Sequence, residues 1–187
     1  MKKQNDSIGM LFFIIATAFS VLAALGEPTL LAWMAVFHNA LLASIYSMRR
    51  PAKNRNRTGL WLGLIAALIP MTSYPSKIPL PLTMFGILSY LLILWSVIVL
   101  GKSFGIAPAD RGLVTTGPYK WVRHPMYLGE LAYRCSLVAA GLNLTNLVVV
   151  VILVIIQIWR IKLEEKIIEG YDQYTESTRW RMIPFVW

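Results

Sequence analysis

Apolar stretches long enough to cross a lipid bilayer constrain this chain more than any other feature of its sequence. A transmembrane helix needs roughly 20 mainly apolar residues. Segments that meet or approach this length occupy residues 8–25, 29–48, 59–74, 80–100, 125–142 and 145–161. The chain is 57% hydrophobic and 14% charged, whereas soluble domains are about 45–50% apolar and about 25% charged. The sequence therefore predicts an all-α integral membrane protein.

The links between these segments predict about six transmembrane helices, with five as the alternative because the third segment is short and ends in PMTSYP. Only NLTN separates the last two segments, which predicts an antiparallel helical hairpin. Basic residues fill loops 49–57 and 101–124 and the tail, while the opposite loops carry little beyond Glu27 and Lys77. By the positive-inside rule, both termini and the 101–124 loop are expected in the cytoplasm.

One domain is expected for a chain of 187 residues, with an N-terminal helix pair over 1–58, a core over 59–187 and the polar motifs in 101–187. The net charge of +9 does not predict nucleic-acid binding, because the basic residues lie between apolar blocks and set orientation there. No metal site is predicted. The single cysteine, Cys135, excludes an intrachain disulfide and is expected to be a small buried packing residue.

The stretch GPYKWVRHPMY, residues 117–127, concentrates basic and aromatic residues between two apolar regions. A residue before proline is displaced from the α region, whereas proline suits the first helical turn. His124 is therefore expected at the N-cap of the fifth helix, where free N–H groups and the helix dipole attract an anion. Arg123 adds a fixed positive charge. The alternative is a membrane-interface anchor, for which these aromatic and basic side chains are equally suitable.

A second polar motif, RIKLEEK, ends the sixth apolar segment. Arg160 and Glu164 share one helical face, and Glu165 is turned by about 100° from Glu164. Taken alone, the motif is equally typical of a solvated helix end. In the predicted hairpin, however, the two carboxylates come close to His124. A helix N-terminus that binds anions and faces two carboxylates suits a zwitterionic or sulfonium-bearing cofactor.

Two further groups of charges fit either a site or a structural role. Arg179 and Arg181 alternate with apolar residues in the tail, a pattern that also suits binding to lipid headgroups. Glu130 and Arg134 lie four residues apart within the fifth apolar segment. Ionisable residues inside a membrane usually pair or line a polar cavity, so this pair predicts an ion pair or a cavity wall. In the second segment, His38-Asn39 predicts a hydrogen-bonded interhelical contact.

Three motifs, in this order around an apolar hairpin, together carry a family resemblance: GPYKWVRHPMYLGE, RIKLEEKIIEGYDQY and RWRMIP. They resemble the isoprenylcysteine carboxyl methyltransferase family, whose relatives include phospholipid N-methyltransferases and many bacterial proteins. The resemblance covers roughly residues 100–187. It implies S-adenosylmethionine as cofactor, bound in a cytoplasm-facing cavity over the last two helices, and the bacterial inner membrane as location.

The resemblance also implies roles for single residues. The residues matched to the cofactor site are Gly117, Tyr119, His124, Tyr127, Glu164 and Glu165. Arg160 is matched to the acceptor, and Arg179 and Arg181 are matched to basic positions near the cavity. Glu130 and Arg134 are assigned to the acceptor because they are expected within the fifth segment, not by the resemblance. The catalytic set is Arg160, Arg123 and Glu164.

The chemistry of methyl transfer agrees with these residue types. Transfer from a sulfonium is an in-line displacement, so alignment and placement of charge are the main tasks of the enzyme. A carboxylate acceptor, with a reference pKa near 4, is already ionised at neutral pH and needs no general base. An amine acceptor would need one, and Glu164 or His124 would serve. The expected partners are a lipid-like or lipidated acceptor, entering sideways between helices, and membrane lipids.

Other functions stay open from the sequence alone. A phospholipid N-methyltransferase, which is a relative of that family, would act on an amine acceptor. A sterol-type reductase shares an RHP-x-Y motif, uses NADPH and would bind phosphates where the anion site is predicted. A non-catalytic membrane protein would distribute polar residues through its helices rather than gather them at one mouth. The oligomeric state is left open.

Overall fold

The computed structural model describes residues 4–54, 57–68 and 78–187, and its regular elements in these ranges are helical. The α-helices of the described residues are α1 (Gln4–Gly26), α2 (Leu30–Met48), α3 (Arg57–Leu68), α4 (Leu80–Leu100), α5 (Pro125–Ala140), α6 (Leu144–Ile167) and α7 (Tyr171–Ser177). Short 3₁₀ turns lie at Gly101–Ser103 and Gly117–Lys120. The predicted all-α class is confirmed for the described part of the chain.

Four of these helices are long and apolar enough to cross a membrane: α1, α2, α4 and α6. The prediction of an integral membrane protein is confirmed at this level. Helix α5 has 16 residues, and the predicted end of the third segment, up to residue 74, lies outside the described residues. Six transmembrane helices, with a hairpin that crosses the bilayer, therefore stay a prediction.

One compact unit comprises Met1–Pro51 and Leu100–Gly105. Helices α1 and α2 pack along each other, and the amide of Asn39 donates a hydrogen bond of 2.8 Å to Ser20 Oγ. The predicted interhelical contact of the second segment is confirmed at this residue. The rings of Phe13, Tyr46 and Phe104 form an aromatic cluster with centroid distances of 5.2 to 6.4 Å.

The second unit comprises Ala52–Val99 and Ile106–Trp187. Only residues 141–143 connect α5 to α6, and the side chain of Asn143 caps α6 by accepting from the N–H of Asn146 at 2.7 Å. Contacts between the two helices pair Tyr127 with Glu164 and Glu130 with Gln157. Residue numbers rise along one helix as they fall along the other, so α5 begins where α6 ends.

The outer faces of the helices are rich in exposed apolar side chains, as expected where lipid is the solvent. Cys135, on α5, is exposed, so its predicted burial is wrong. A helix in a bilayer does not need to bury its apolar residues inside the protein, because lipid tails are as apolar as a leucine side chain.

The loop that enters the polar region is fixed by Asp110, which is 2% exposed. Its carboxylate accepts from the N–H of Gly112 at 3.0 Å. Its main chain exchanges two hydrogen bonds with Lys53 and Asn54, at 2.8 and 3.1 Å. These bonds hold residues 106–112 at the segment before α3 and direct the chain towards the start of α5.

Candidate active site

The corner between loop and helix at residues 117–125 is set by glycine and proline. Gly117 has a φ of +58°, and a Cβ there would lie 2.9 Å from Cγ2 of Val99 on α4. Only glycine satisfies both the left-handed conformation and this close approach. His124 is the N-cap of α5 with φ −129° and ψ 59°, as predicted from Pro125, and its side chain forms no cap hydrogen bond. The imidazole is therefore available to other partners.

The tail runs along this corner and is bonded to it through the main chain. The N–H groups of Arg123 and His124 donate to the carbonyl oxygens of Trp180 and Arg181, each at 2.8 Å. A further hydrogen bond joins α7 to the 3₁₀ turn before the corner: the hydroxyl of Tyr174 donates to the carbonyl oxygen of Tyr119 at 2.5 Å. The corner and the tail thus form one connected structure.

The imidazole of His124 lies between two tyrosine rings. It stacks on Tyr127 with a centroid distance of 5.6 Å and on Tyr171 at 6.3 Å. Its Nε2 is 2.9 Å from the Tyr171 hydroxyl, and its Nδ1 is 3.6 Å from a carboxylate oxygen of Glu164. Burial, reinforced by the negative charge of Glu165, raises the pKa of Tyr171. The Tyr171 hydroxyl therefore keeps its proton near neutral pH.

Glu165 is held by two arginines. Arg181 donates from Nε and Nη2 to its two oxygens at 2.8 and 2.9 Å, and Arg123 Nη1 lies 3.2 Å from Oε1. The hydrogen bond to Glu165 raises the pKa of Arg181. A forked, charge-assisted pair of this kind fixes both the position and the orientation of a carboxylate.

Glu164 has a different set of partners. The Tyr127 hydroxyl donates to its Oε1 at 2.5 Å, and His124 Nδ1 lies 3.6 Å from its Oε2. Its negative charge is therefore less compensated by fixed cations than that of Glu165. Of the two carboxylates, Glu164 is the better placed to offset the charge of a cationic ligand.

Arg160 lies one turn deeper along α6 and is 5% exposed. Its Nη2 donates to the carbonyl of Ile106 at 3.1 Å, and its guanidinium carbon is 4.8 Å from the centre of the Tyr127 ring. Beyond it, Gln157 Nε2 donates to Glu130 Oε2 at 2.7 Å. A row of polar side chains thus runs from the end of α6 into the apolar part of the unit. We call this row the polar ladder; it comprises Glu164, Arg160, Gln157 and Glu130.

The predicted residues separate into those that the structure gathers and those with other surroundings. His124, Arg123, Tyr127, Glu164, Glu165, Arg160 and Arg181 form the connected cluster. The guanidinium of Arg179 lies over Trp180 at 5.1 Å, and that of Arg134 is 5.8 Å from the Tyr133 ring. Gly117 packs on α4, and the Tyr119 hydroxyl donates to the Ser96 carbonyl at 3.5 Å. The cofactor or acceptor roles of all these residues stay predictions.

Three residues of the cluster had not been predicted: Tyr171, Tyr174 and Gln157. The two tyrosines lie three residues apart after Gly170, whose φ of +78° ends one helix and begins the next. That spacing places both on one face of α7, a signal that EGYDQY contains. Gln157 shares the α6 face of Arg160 and Glu164, but an amide in an apolar segment is common in helix packing.

The chemical groups of the cluster suit those of S-adenosylmethionine. That molecule carries two positive charges, one carboxylate and an aromatic base. The Glu164 carboxylate suits a positive charge, whereas Glu165 is held by Arg123 and Arg181. The N-terminus of α5, which has no side-chain cap, lies beside Arg123 and suits the carboxylate. The stacked rings of Tyr127 and Tyr171 offer aromatic faces. The residues fit the group.

One comparison with known proteins gives a match. The sequence model of a family described as phospholipid methyltransferase matches residues 78–173, slightly more than half of the 187 residues. The match runs from the start of α4 into α7, so it includes the corner at His124 and the two carboxylates, and it ends before Arg179 and Arg181. No curated protein matches the chain.

Proposed function

The chain belongs to the phospholipid methyltransferase family, and on that basis we propose that it transfers a methyl group from S-adenosylmethionine to a lipid-like acceptor. One observation carries the proposal. The carboxylates that end α6 face the aromatic and basic residues that begin α5, with His124 Nδ1 3.6 Å from Glu164. Such a charge-balanced mouth on an otherwise apolar unit suits a charged cofactor and an apolar acceptor.

When bound, S-adenosylmethionine supplies a methyl group on a positively charged sulfur. Glu164, with fewer fixed cations around it, offsets positive charge on the ligand. Arg123 and the first N–H groups of α5 bind its carboxylate. Glu165, clamped by Arg181, holds Arg123 in place. Because these groups are fixed before the ligand arrives, little reorganisation is needed during the reaction.

The acceptor that we propose first is a carboxylate on an isoprenylcysteine-like or other lipid-like molecule. Arg160 would bind one of its oxygens and leave the other free to attack. Contacts with the Ile106 carbonyl and the Tyr127 ring support a fixed guanidinium. A carboxylate is ionised at neutral pH, so no base is required. The acceptor would enter from the bilayer, at a mouth expected in the cytoplasm.

A phospholipid amine is the second candidate acceptor, and the description of the family favours it. An amine is protonated at neutral pH and must lose a proton before it attacks. Glu164 or His124 would accept that proton, and their 3.6 Å separation allows it to be shared between them. Carboxyl and amine methylation give products that are separated by simple chemistry.

The test uses the full-length protein in lipid nanodiscs with S-adenosylmethionine labelled with tritium in its methyl group. Labelled lipid is expected, and mild base releases the label as methanol from an ester but not from an N-methyl amine. Arg160→Ala should abolish labelling of a carboxylate acceptor. Stabilisation of the protein by NADPH but not by S-adenosylhomocysteine would instead support a reductase. No label above that of the Glu165→Gln variant would refute the proposal.

A further inference from the structure

Gln157 is the most deeply buried member of the polar ladder, with an exposed fraction of 0%. Its Nε2 donates to Glu130 Oε2 at 2.7 Å. Its Oε1 has no hydrogen-bond partner among the residues that the structure describes. A buried acceptor without a donor is unfavourable and uncommon in native proteins. This oxygen therefore calls for a donor that the described part of the chain does not supply.

Glu130 fixes which end of the amide is offered. When Glu130 is ionised, both of its oxygens only accept hydrogen bonds, so the NH₂ group of Gln157 faces Glu130 and the carbonyl oxygen faces away from it. Rotating the amide would set two acceptors against each other. The Gln157–Glu130 pair thus presents an acceptor, with its orientation set by the neighbouring helix.

The position of Gln157 relates it to the proposed acceptor site. It precedes Arg160 by three residues and Glu164 by seven, so the three lie on one face of α6. At 1.5 Å per residue, Gln157 is about 10 Å along the helix axis from Glu164, with Arg160 between them. Arg160 and Arg134 also lie near enough to Glu130 to interact with it electrostatically. Ionisable residues at such a depth in a membrane protein pair with each other or line a cavity, and they mark substrate, ion or proton paths.

We infer that Gln157 is a specificity-determining residue of the acceptor site. Its carbonyl oxygen accepts a hydrogen bond from an N–H or O–H group of an acceptor whose anionic oxygen lies at Arg160. This inference rests on the proposed function and narrows the class of acceptor. The head group carries both an anionic oxygen and a hydrogen-bond donor, which a simple fatty or isoprenoid acid lacks when ionised.

The test compares two lipids that differ only in their donors. Dihexanoyl phosphatidylethanolamine has N–H groups, whereas dihexanoyl phosphatidylcholine has the same phosphate and tails but none. Binding to the full-length protein in detergent is measured by calorimetry. We expect the wild-type protein to prefer the ethanolamine lipid by about tenfold, since a site built for a donor rejects an analogue without one. In Gln157→Met the two affinities should differ by less than about twofold.

Two controls separate hydrogen bonding from size and folding. Leu153→Met, one turn deeper on α6 and 1% exposed in the wild type, should keep the preference. In the wild type, the N,N-dimethyl lipid, which retains one N–H, should bind within about threefold of the ethanolamine lipid. A gradual loss of affinity with each added methyl group would indicate size instead and would overturn the inference without any variant.

The inference would also be overturned if the wild type bound the ethanolamine and choline lipids with equal affinity, or if it bound neither. A preference that survives in Gln157→Met would assign Oε1 to a buried water and refute the role of this residue. The affinity for S-adenosylhomocysteine, measured in parallel, should agree within about twofold among the wild type, Gln157→Met and Leu153→Met. Loss of that binding in the wild type, with the lipid preference intact, would refute methyl transfer alone.

Discussion

Glu164 and Glu165 are neighbours in the chain, yet they meet different partners, because successive side chains on an α-helix are turned by about 100°. Glu165 faces Arg123 and Arg181, and Glu164 faces Tyr127 and His124. One carboxylate is therefore part of the frame of the site and the other is available to a ligand. The two residues should respond differently to substitution.

Arg181 is expected to act through the geometry of its fork. Arg181→Lys keeps the charge but cannot form both hydrogen bonds to Glu165, so S-adenosylhomocysteine affinity should fall by about tenfold. The matched control is Arg179→Lys, because Arg179 lies over Trp180 at 5.1 Å, and its effect should stay below about twofold. Calorimetry on both variants makes the comparison. Equal losses in the two variants would count against the clamp.

Single residues were predictable where backbone chemistry decides their position. His124 before Pro125 could be identified as an N-cap from sequence, since proline restricts both residues. Gln157 could not, because its role depends on a contact with a residue 27 positions away. The spacing in EGYDQY places Tyr171 on one face of α7 but does not identify its partner, which is 47 positions away. An amide or a tyrosine in such a segment has many structural explanations, and only the pairing reveals the one that applies.

At the scale of elements, the 3₁₀ turn at Gly117–Lys120 sets the start of α5. Gly117→Ala should lower the free energy of unfolding by about 2–3 kcal/mol, because the left-handed conformation and the contact with Val99 both oppose a side chain. Gly170→Ala is the control: its φ is +78°, and a Cβ there would meet nothing within 4 Å. Gly170→Ala should lower the free energy of unfolding by about 1 kcal/mol.

Chemical denaturation in detergent measures both variants. Adding Val99→Ala to Gly117→Ala should relieve the steric clash with Val99. The extra loss in the free energy of unfolding, relative to Gly170→Ala, should then be recovered. If Gly117→Ala lowers the free energy of unfolding no more than Gly170→Ala does, the close approach to α4 does not restrict the side chain at position 117.

Helix α7 is joined to the corner by the hydroxyl of Tyr174, and this contact predicts a pH dependence. Burial raises the pKa of Tyr174 to about 12, whereas an unfolded tyrosine ionises near 10. The folded state retains the proton longer, so stability is unaffected below pH 10 and declines as the pH rises from 10 towards 12. The loss should reach about 2 kcal/mol at pH 11.5.

Tyr174→Phe removes both the hydrogen bond and the titration. It should be about 1 kcal/mol less stable than the wild type at pH 8, and this deficit should vanish or reverse at pH 11.5. Thermal unfolding at the two pH values measures it. A constant difference at both pH values would show that the Tyr174 hydroxyl does not titrate with a raised pKa.

Elements were predictable to the extent that hydropathy and length define them. Residues 145–161 were predicted as the apolar part of α6, and the helix continues through the charged residues to Ile167. The limits of α5 were harder to predict: its 16 residues end at Ala140. Glu130 and Arg134 are tolerated in it because neighbouring polar groups, rather than lipid, surround them.

For the whole molecule, the distribution of charge predicts six spans with the loop after α2 and the region around α7 on one side. In a Cys135→Ser background, Lys53→Cys and Asp172→Cys should react with a membrane-impermeant maleimide only after cell lysis. Glu27→Cys should react in intact cells, because the positive-inside rule puts that loop outside. Reaction of Lys53→Cys and Asp172→Cys in different compartments would show an odd number of spans between them.

The main-chain bonds from Arg123 and His124 to Trp180 and Arg181 have a consequence for biosynthesis. The ribosome makes α5 and α6 before it makes the tail, so Glu165 lacks its principal arginine partner until Arg181 has been added. The site then matures in a second stage, when the tail pairs with the corner. Incomplete chains that stop after α6 therefore lack both these main-chain bonds and the arginine fork on Glu165.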